Sequence, residues 1–221
     1  MKRSVKNFTD KQIADNLKAW CKHANDDMIK QGKEWYKDAQ TFTKGIAEKY
    51  QIDAYRVAGV VAALSPNNRW ERNKIDAEAV ISAWAKGYSY DCVKVCTYGA
   101  NKRKAFGILE GRTEITAKSP KTHAFAMNVG LNSPDHITID KWHLRACVTR
   151  PGDGVTDCVE SCTAIQYRRL EAITAKVASD VNFYPMYYHV IVGLTECPSG
   201  RLKGYQLQAI IWVTIKKAWN R

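Results

Sequence analysis

Residues 54–65, AYRVAGVVAALS, restrict the fold more than any other segment. Arg56 is the one charged residue in it, and apolar side chains otherwise surround a helix of this length. A helix that is apolar nearly all round must be wrapped by other elements, because it offers water no polar face. Asp53 ahead of it reads as a helix cap, and Ser65-Pro66-Asn67-Asn68-Arg69-Trp70 behind it brings the helix to an end. The expected architecture is a buried central helix that delivers small polar groups, an arginine and a tryptophan to a surface.

The rest of the chain supplies the wrapping. Thr9 or Asp10 caps a first helix to about Gln31, with Ile13, Leu17, Trp20, Cys21, Ala24 and Met28 on one face. Gly32 reads as its stop. A second helix from near Glu34 carries Trp35, Tyr36, Ala39, Phe42, Ile46, Ala47 and Tyr50, with Trp35 and Tyr36 read as core packing. Further helices are expected over Glu71–Lys86, over Glu160–Ser179, over residues 186–194 with Pro185 in the first turn, and over Tyr205–Trp219. Residues 101–111 read as a basic short helix or turn, 149–157 as a loop and 198–204 as a basic turn. Strand-like alternation is almost absent, and no internal repeat, low-complexity stretch or long linker interrupts the chain. The expectation is a single all-α domain over residues 1–221.

Composition narrows the partners. With 34 Lys and Arg against 22 Asp and Glu, the formal net charge is +12. Such a surface favours an anionic partner, nucleic acid first, because neutralising phosphates releases counterions. Arg69, Arg72, Lys74, Lys102, Arg103 and Lys104 are candidate phosphate contacts; a solvated charge cluster is the alternative for residues 102–104. No run of about twenty apolar residues exists, so no membrane partner is expected. The start, MKRSVKNFTD, has no apolar stretch that serves as a signal peptide. The seven cysteines include no C-x-x-C element; Cys92 and Cys96, and Cys158 and Cys162, stand at helical-face spacing and read as free thiols of a reducing cytoplasm. His123, His136 and Asp140 do not make a recognisable metal spacing, so neither metal nor cofactor is expected. Nothing in the sequence names a protein partner.

Residues 119–146, SPKTHAFAMNVGLNSPDHITIDKWHLRAC, carry the chemistry. They read as a tight turn, a helix opened by Lys121, a loop from Gly130 to Asp135, an extended step and a second helix opened by Asp140. The doubling back of the chain can bring a lysine and a carboxylate to one rim of a cleft. Thr138 alternates with Ile137 and Ile139, so the step before Asp140 is half buried. A carboxylate there caps the helix and meets the positive end of its dipole. The same fixed carboxylate can stabilise an oxocarbenium-like sugar or orient a nucleophile. A lysine amine becomes a nucleophile when burial or nearby positive charge lowers its pKa.

These residues resemble the helix-hairpin-helix DNA glycosylase superfamily, the endonuclease-III-like group. Lys121-Thr122 corresponds to the hairpin lysine and its neighbour, and Asp140, nineteen residues on, to the catalytic aspartate. Ala63-Leu64-Ser65-Pro66-Asn67-Asn68-Arg69-Trp70 is similar to the family segment that follows a buried helix and enters the duplex beside the flipped base. The likeness covers about residues 55–150, and N- and C-terminal helices complete the second lobe of the fold it implies. It is closer still to short phage-type relatives with A-A-L-S-P-x-x-x-W-x-x-N, here Ala62–Asn73, and a late Q-A-I-I-W, here Gln208–Trp212. Some of these are assigned to thymine hypermodification as pyrophosphorylases. The resemblance implies two helical lobes around a cleft and excision of a modified or damaged base from duplex DNA with a flipped nucleotide, by attack at C1′, with lyase action where Lys121 is the nucleophile and a water-using mechanism where it is not. It implies Asp140 and Lys121 as catalytic residues, and Asn67, Asn68, Arg69, Trp70, Ser119 and Thr122 against the DNA. It also implies Asn128, Trp142 and His143 near the pocket, no iron–sulfur cluster, and the cytoplasm, that of a host for a viral chain. The chain departs from the family at the hairpin glycines, replaced by Ala117-Lys118-Ser119-Pro120, and at His143, which follows Asp140 by three residues instead of two. The alternatives are a hypermodification enzyme on the same fold and a non-catalytic DNA-binding protein.

Overall fold

The structure is a computed structural model that describes residues 2–131, 133, 135–154, 157–181 and 202–219. The helix expected over 186–194, Pro185, and most of the turn at 198–204 lie outside the described residues. Nine helices occur among the described residues: α1 (Asp10–His23), α2 (Asp26–Tyr50), α3 (Ala54–Leu64), α4 (Trp70–Ala85), α5 (Gly99–Leu109), α6 (Pro120–Leu131), α7 (Lys141–Val148), α8 (Ala164–Asp180) and α9 (Gly204–Trp219). Short 3₁₀ turns cover Val5–Asn7 and Tyr90–Cys92. The described residues contain no strand, only an isolated parallel bridge between Arg3 and Cys158. The chain is all-α, as expected. None of its described helices is long and apolar enough to cross a membrane.

Contacts divide the chain into two compact units. The first is Met1–Trp35 with Ile137–Arg221, and the second, Tyr36–His136, is inserted between its halves. The boundary falls within α2 and just before the Ile137–Ile139 step.

The second unit is built on α3. Every residue from Val57 to Leu64 is buried, and α4, α5 and α6 all pack against it. Small side chains permit this. A Cβ on Gly130 of α6 would sit 2.8 Å from the Cβ of Ala58, and one on Gly59 would sit 3.1 Å from Ile108 of α5. Asp53 caps α3 by accepting the Arg56 N–H at 3.0 Å.

The first unit surrounds a core drawn from α1, α7, α8 and α9, in which Ile13, Leu17, Trp20, Leu144, Leu170, Leu207 and Ile211 are buried. Thr9 and Gln12 form a reciprocal capping box that starts α1. Burying side chains of this size contributes about 1.5–3 kcal/mol each.

Two expectations are corrected. The break after the first helix falls at Ala24-Asn25, where Asn25 accepts the Met28 N–H at 2.9 Å, and not at Gly32. Gly32 lies inside α2 because α9 approaches there: a Cβ would stand 2.5 Å from the Ile210 Cα. The glycine that reads as a breaker is a packing contact. Neither cysteine pair lies on one helix face either. Cys92 ends a 3₁₀ turn, and Cys96, Cys158 and Cys162 lie outside helices.

Alanine is intrinsically the better helix former at an interior position, by about 1 kcal/mol. Gly32→Ala should nevertheless destabilise the protein by about 1–3 kcal/mol in chemical denaturation, because the added methyl overpacks the α2–α9 contact. Equal or greater stability would contradict that contact.

Candidate functional site

Asp140 sits in the first unit, at the N-cap of α7, with its Oδ1 accepting the His143 N–H at 2.8 Å. The approach to it is held by α8. The Tyr167 hydroxyl donates to the Ile137 carbonyl at 2.8 Å and accepts the Ile139 N–H at 3.0 Å. The Glu171 carboxylate accepts the Ile137 N–H; partial burial pushes this carboxyl above its ordinary range, opposed by that bond and by Arg168. Thr174 meets the His143 ring at 2.9 Å. Tyr167, Glu171 and Thr174 follow one another at helical spacing, so a single face of α8 fixes residues 137–143.

The far end of α7 is fastened as firmly. Three consecutive carbonyls are each taken by a side chain from elsewhere. The Asn16 amide donates to Cys147 at 2.9 Å, the Arg3 guanidinium to Val148 at 3.0 Å and the Trp20 indole to Thr149 at 2.9 Å. An eight-residue helix is marginal in isolation, and its terminal carbonyls have no partners of their own. Burial pushes the Cys21 thiol of the adjoining α1 up to about 12, which leaves it a packing residue rather than a nucleophile.

His143 is fully buried. The Thr174 hydroxyl donates its one hydrogen to the Leu170 carbonyl at 2.7 Å, so the imidazole Nε2 carries a proton and donates to Thr174. His143 therefore packs within the first unit. Trp142 is half-buried, with the Arg145 guanidinium 4.7 Å from its ring centre and the Trp219 ring 6.3 Å away.

The remaining candidates belong to the second unit. Lys121 is exposed in the first turn of α6, and its side chain makes no hydrogen bond or ion pair among the described residues. Ser119 is exposed and closes a turn with Thr116 (N–H to carbonyl, 3.0 Å), while its own carbonyl accepts the His123 N–H. Thr122 is half-buried. Asn128 is buried, and its amide nitrogen donates to the Ser133 and His136 carbonyls at 3.0 and 2.9 Å. It ties down the loop after α6. His123 and His136 stack edge-on at 5.2 Å. Burial, with His136 beside it, lowers the His123 pKa. Among the described residues no group of three or more His, Cys, Asp or Glu is placed to hold a metal.

The loop after α3 is organised by a residue that the sequence reading missed. Asp76 of α4 is wholly buried. Its carboxylate accepts from Arg72 at 2.8 Å, from the Asn68 amide at 2.9 Å and from the Cys96 N–H at 2.8 Å. These bonds tie the Asn68 amide and the Arg72 Nε to Asp76, while Arg72 itself stays exposed. Trp70 packs edge-on between Phe42 at 6.1 Å and Phe125 at 6.4 Å, under the Lys74 ammonium. Asn73 donates to the Val61 carbonyl of α3 at 3.0 Å. Asn67 and Arg69 remain exposed. In the basic cluster Lys102 donates to the Val93 carbonyl at 2.8 Å and lies with Arg103 over the Tyr90 ring. Arg103 is exposed and Lys104 half-buried. Asp76 could have been found in the sequence, because it falls on the buried stripe of α4 with Asn73, Ala77 and Val80. Nothing in the sequence marks Tyr167.

Residues 1–219 match the family model described as a family of unknown function, DUF7178. The chain belongs to this family. The match runs through both units and takes in Lys121, Asp140 and the Asp76-centred loop. No curated protein and no solved structure matches the chain.

Burial lowers the His143 pKa to about 4, against about 6.5 for an unfolded histidine. Below pH 6.5 the unfolded chain binds a proton that the folded one refuses. This contribution to stability is therefore complete above pH 6.5 and is lost as the pH falls towards 4. Its size is about 3 kcal/mol. Denaturation measured from pH 7 to pH 4 should show that decline, and His143→Gln should flatten it. An equally steep decline in His143→Gln would assign the effect to other groups.

Proposed function

We propose that the chain is a DNA glycosylase that removes a modified or damaged base. The carrying observation is the fixing of Asp140: the Ile137–Ile139 backbone that leads into it is clamped by Tyr167 and Glu171, and its carboxylate is held at the head of a helix fastened at both ends. Such rigidity is more than capping requires, and it suits a carboxylate that must face a charge developing in a transition state. Three further features support the reading. The net charge is +12. An inserted helical unit is flanked by N- and C-terminal segments that form a second one, the organisation that the glycosylase resemblance implies. Lys121 stands in the first turn of α6, after the ten-residue segment that follows α5.

In this reading the target nucleotide leaves the stack, because C1′ is out of reach inside a duplex. The bond from C1′ to the base breaks and its electron pair leaves with the base. Asp140 stabilises the positive charge left on the sugar and orients a water, whose oxygen bonds to C1′ while its proton passes to the departing base. An exposed amine gains no nucleophilicity from burial, so the position of Lys121 favours water as the attacking group. The same position, with the missing hairpin glycines, favours one second reading: a DNA-binding protein without catalysis.

The test is incubation with labelled duplexes carrying uracil, oxidised, alkylated, hydroxymethylated or hypermodified bases, with and without borohydride. The expected result is release of one base with no trapped adduct. A trapped adduct that vanishes in Lys121→Ala would restore the lysine as nucleophile. Salt-sensitive binding with no release from any duplex would favour the binding protein.

A further inference from the structure

Tyr98 is 63% exposed at the head of α5. Its hydroxyl accepts from the Asn67 side-chain amide at 3.1 Å, and Asn67 holds a left-handed backbone, φ 57°. Asparagine enters this region more readily than other side chains, and its surroundings hold it there. They do so here from both sides. Thr97 donates to the Pro66 carbonyl at 3.0 Å, and Asn101 donates to Thr97 at 2.8 Å. Asn68 and the Cys96 N–H both end on the buried Asp76 carboxylate. An exposed ring and an exposed amide thus stand side by side on a braced tip. The space above the neighbouring Gly99 is open, with no atom within 4 Å of where a Cβ would be. Residues 94–104 carry Lys94, Lys102, Arg103 and Lys104 and no carboxylate, and Arg69 is exposed on the other strand of the tip.

Single exposed aromatics are ordinary on protein surfaces. This one differs in being hydrogen-bonded to a partner whose left-handed backbone is braced, within a segment whose charged residues are all cations. We propose that Tyr98 and Asn67 form a preorganised contact for DNA, in which an unstacked base lies on the Tyr98 ring and the Asn67 amide meets its edge. An aromatic face accepts any base, so the contact recognises the disturbed stack rather than a sequence, while the surrounding cations meet phosphates. The inference rests on the DNA reading above and names a residue that reading did not contain.

The test is fluorescence anisotropy of the full chain with two labelled duplexes, one fully paired and one with an unpaired base opposite an abasic-site analogue, across a range of salt. Tyr98→Ala should weaken binding to the second duplex about tenfold and leave the salt dependence unchanged. Tyr98→Leu, which keeps apolar bulk but has no π face, should do the same, and Tyr98→Phe, which keeps the π face but loses the Asn67 bond, should weaken binding by clearly less than Tyr98→Ala. Arg103→Ala should lower the salt slope by about one. Wild-type affinity in Tyr98→Ala and Tyr98→Leu would overturn the inference alone. Loss in Tyr98→Phe equal to that in Tyr98→Ala would also overturn it, by assigning the effect to the hydroxyl. A wild-type chain that binds neither duplex would overturn the DNA reading with it.

Discussion

A helix of eight residues cannot hold a functional group in place by itself, and the account of Asp140 depends on how α7 is secured. The bonds that secure it reach backbone atoms. Asn16, Arg3 and Trp20 satisfy its last carbonyls, and Tyr167 and Glu171 hold the strand-like step that enters it. Backbone bonds fix the chain's path, so the carboxylate inherits its position from α1, α8 and the N-terminal segment together. Buried donors and acceptors left unpaired are costly, which makes each of these bonds hard to break alone. The site of a short helix is thus built from residues distant in sequence.

The second unit uses a different device to a similar end. One buried carboxylate, Asp76, gathers the loop after α3 and the segment before α5 by accepting from both. Arg72 balances its charge, and a buried charge without such a partner would be strongly destabilising. The consequence at the surface is selective. Asn68 is drawn in, and Arg72, itself exposed, turns its Nε to the carboxylate, whereas Asn67, Arg69 and Tyr98 stay in contact with solvent. Asn67 and Asn68, adjacent and of the same type, therefore have opposite fates.

Much of the fold was legible because helix periodicity and capping are local. The burial of α3, the Asp53 and Asp140 caps and the course of α8 follow from residue type and spacing alone. Gly32 was misread because its role is set by Ile210, which lies far along the chain; as a local signal, a glycine in a polar stretch is a stop. The site was legible in part. Asp140 announces itself by following an alternating apolar step. Tyr167 does not, because a tyrosine on a helix face reads as core until its hydroxyl is seen to take both Ile137 and Ile139. The position of His143 and Asn128 in a motif suggests a pocket, whereas the hydrogen bonds each makes are set by the tertiary fold and cannot be read from spacing.

The central claim concerns the charge on Asp140 rather than its shape. Asparagine caps helices as well as aspartate does, so Asp140→Asn keeps the His143 N–H bond and removes the carboxylate. Base release and duplex binding by this variant should be measured together with its denaturation. The account predicts unchanged stability, retained DNA binding and loss of base release. Base release at the wild-type rate in a folded Asp140→Asn protein would contradict it and reduce Asp140 to a helix cap.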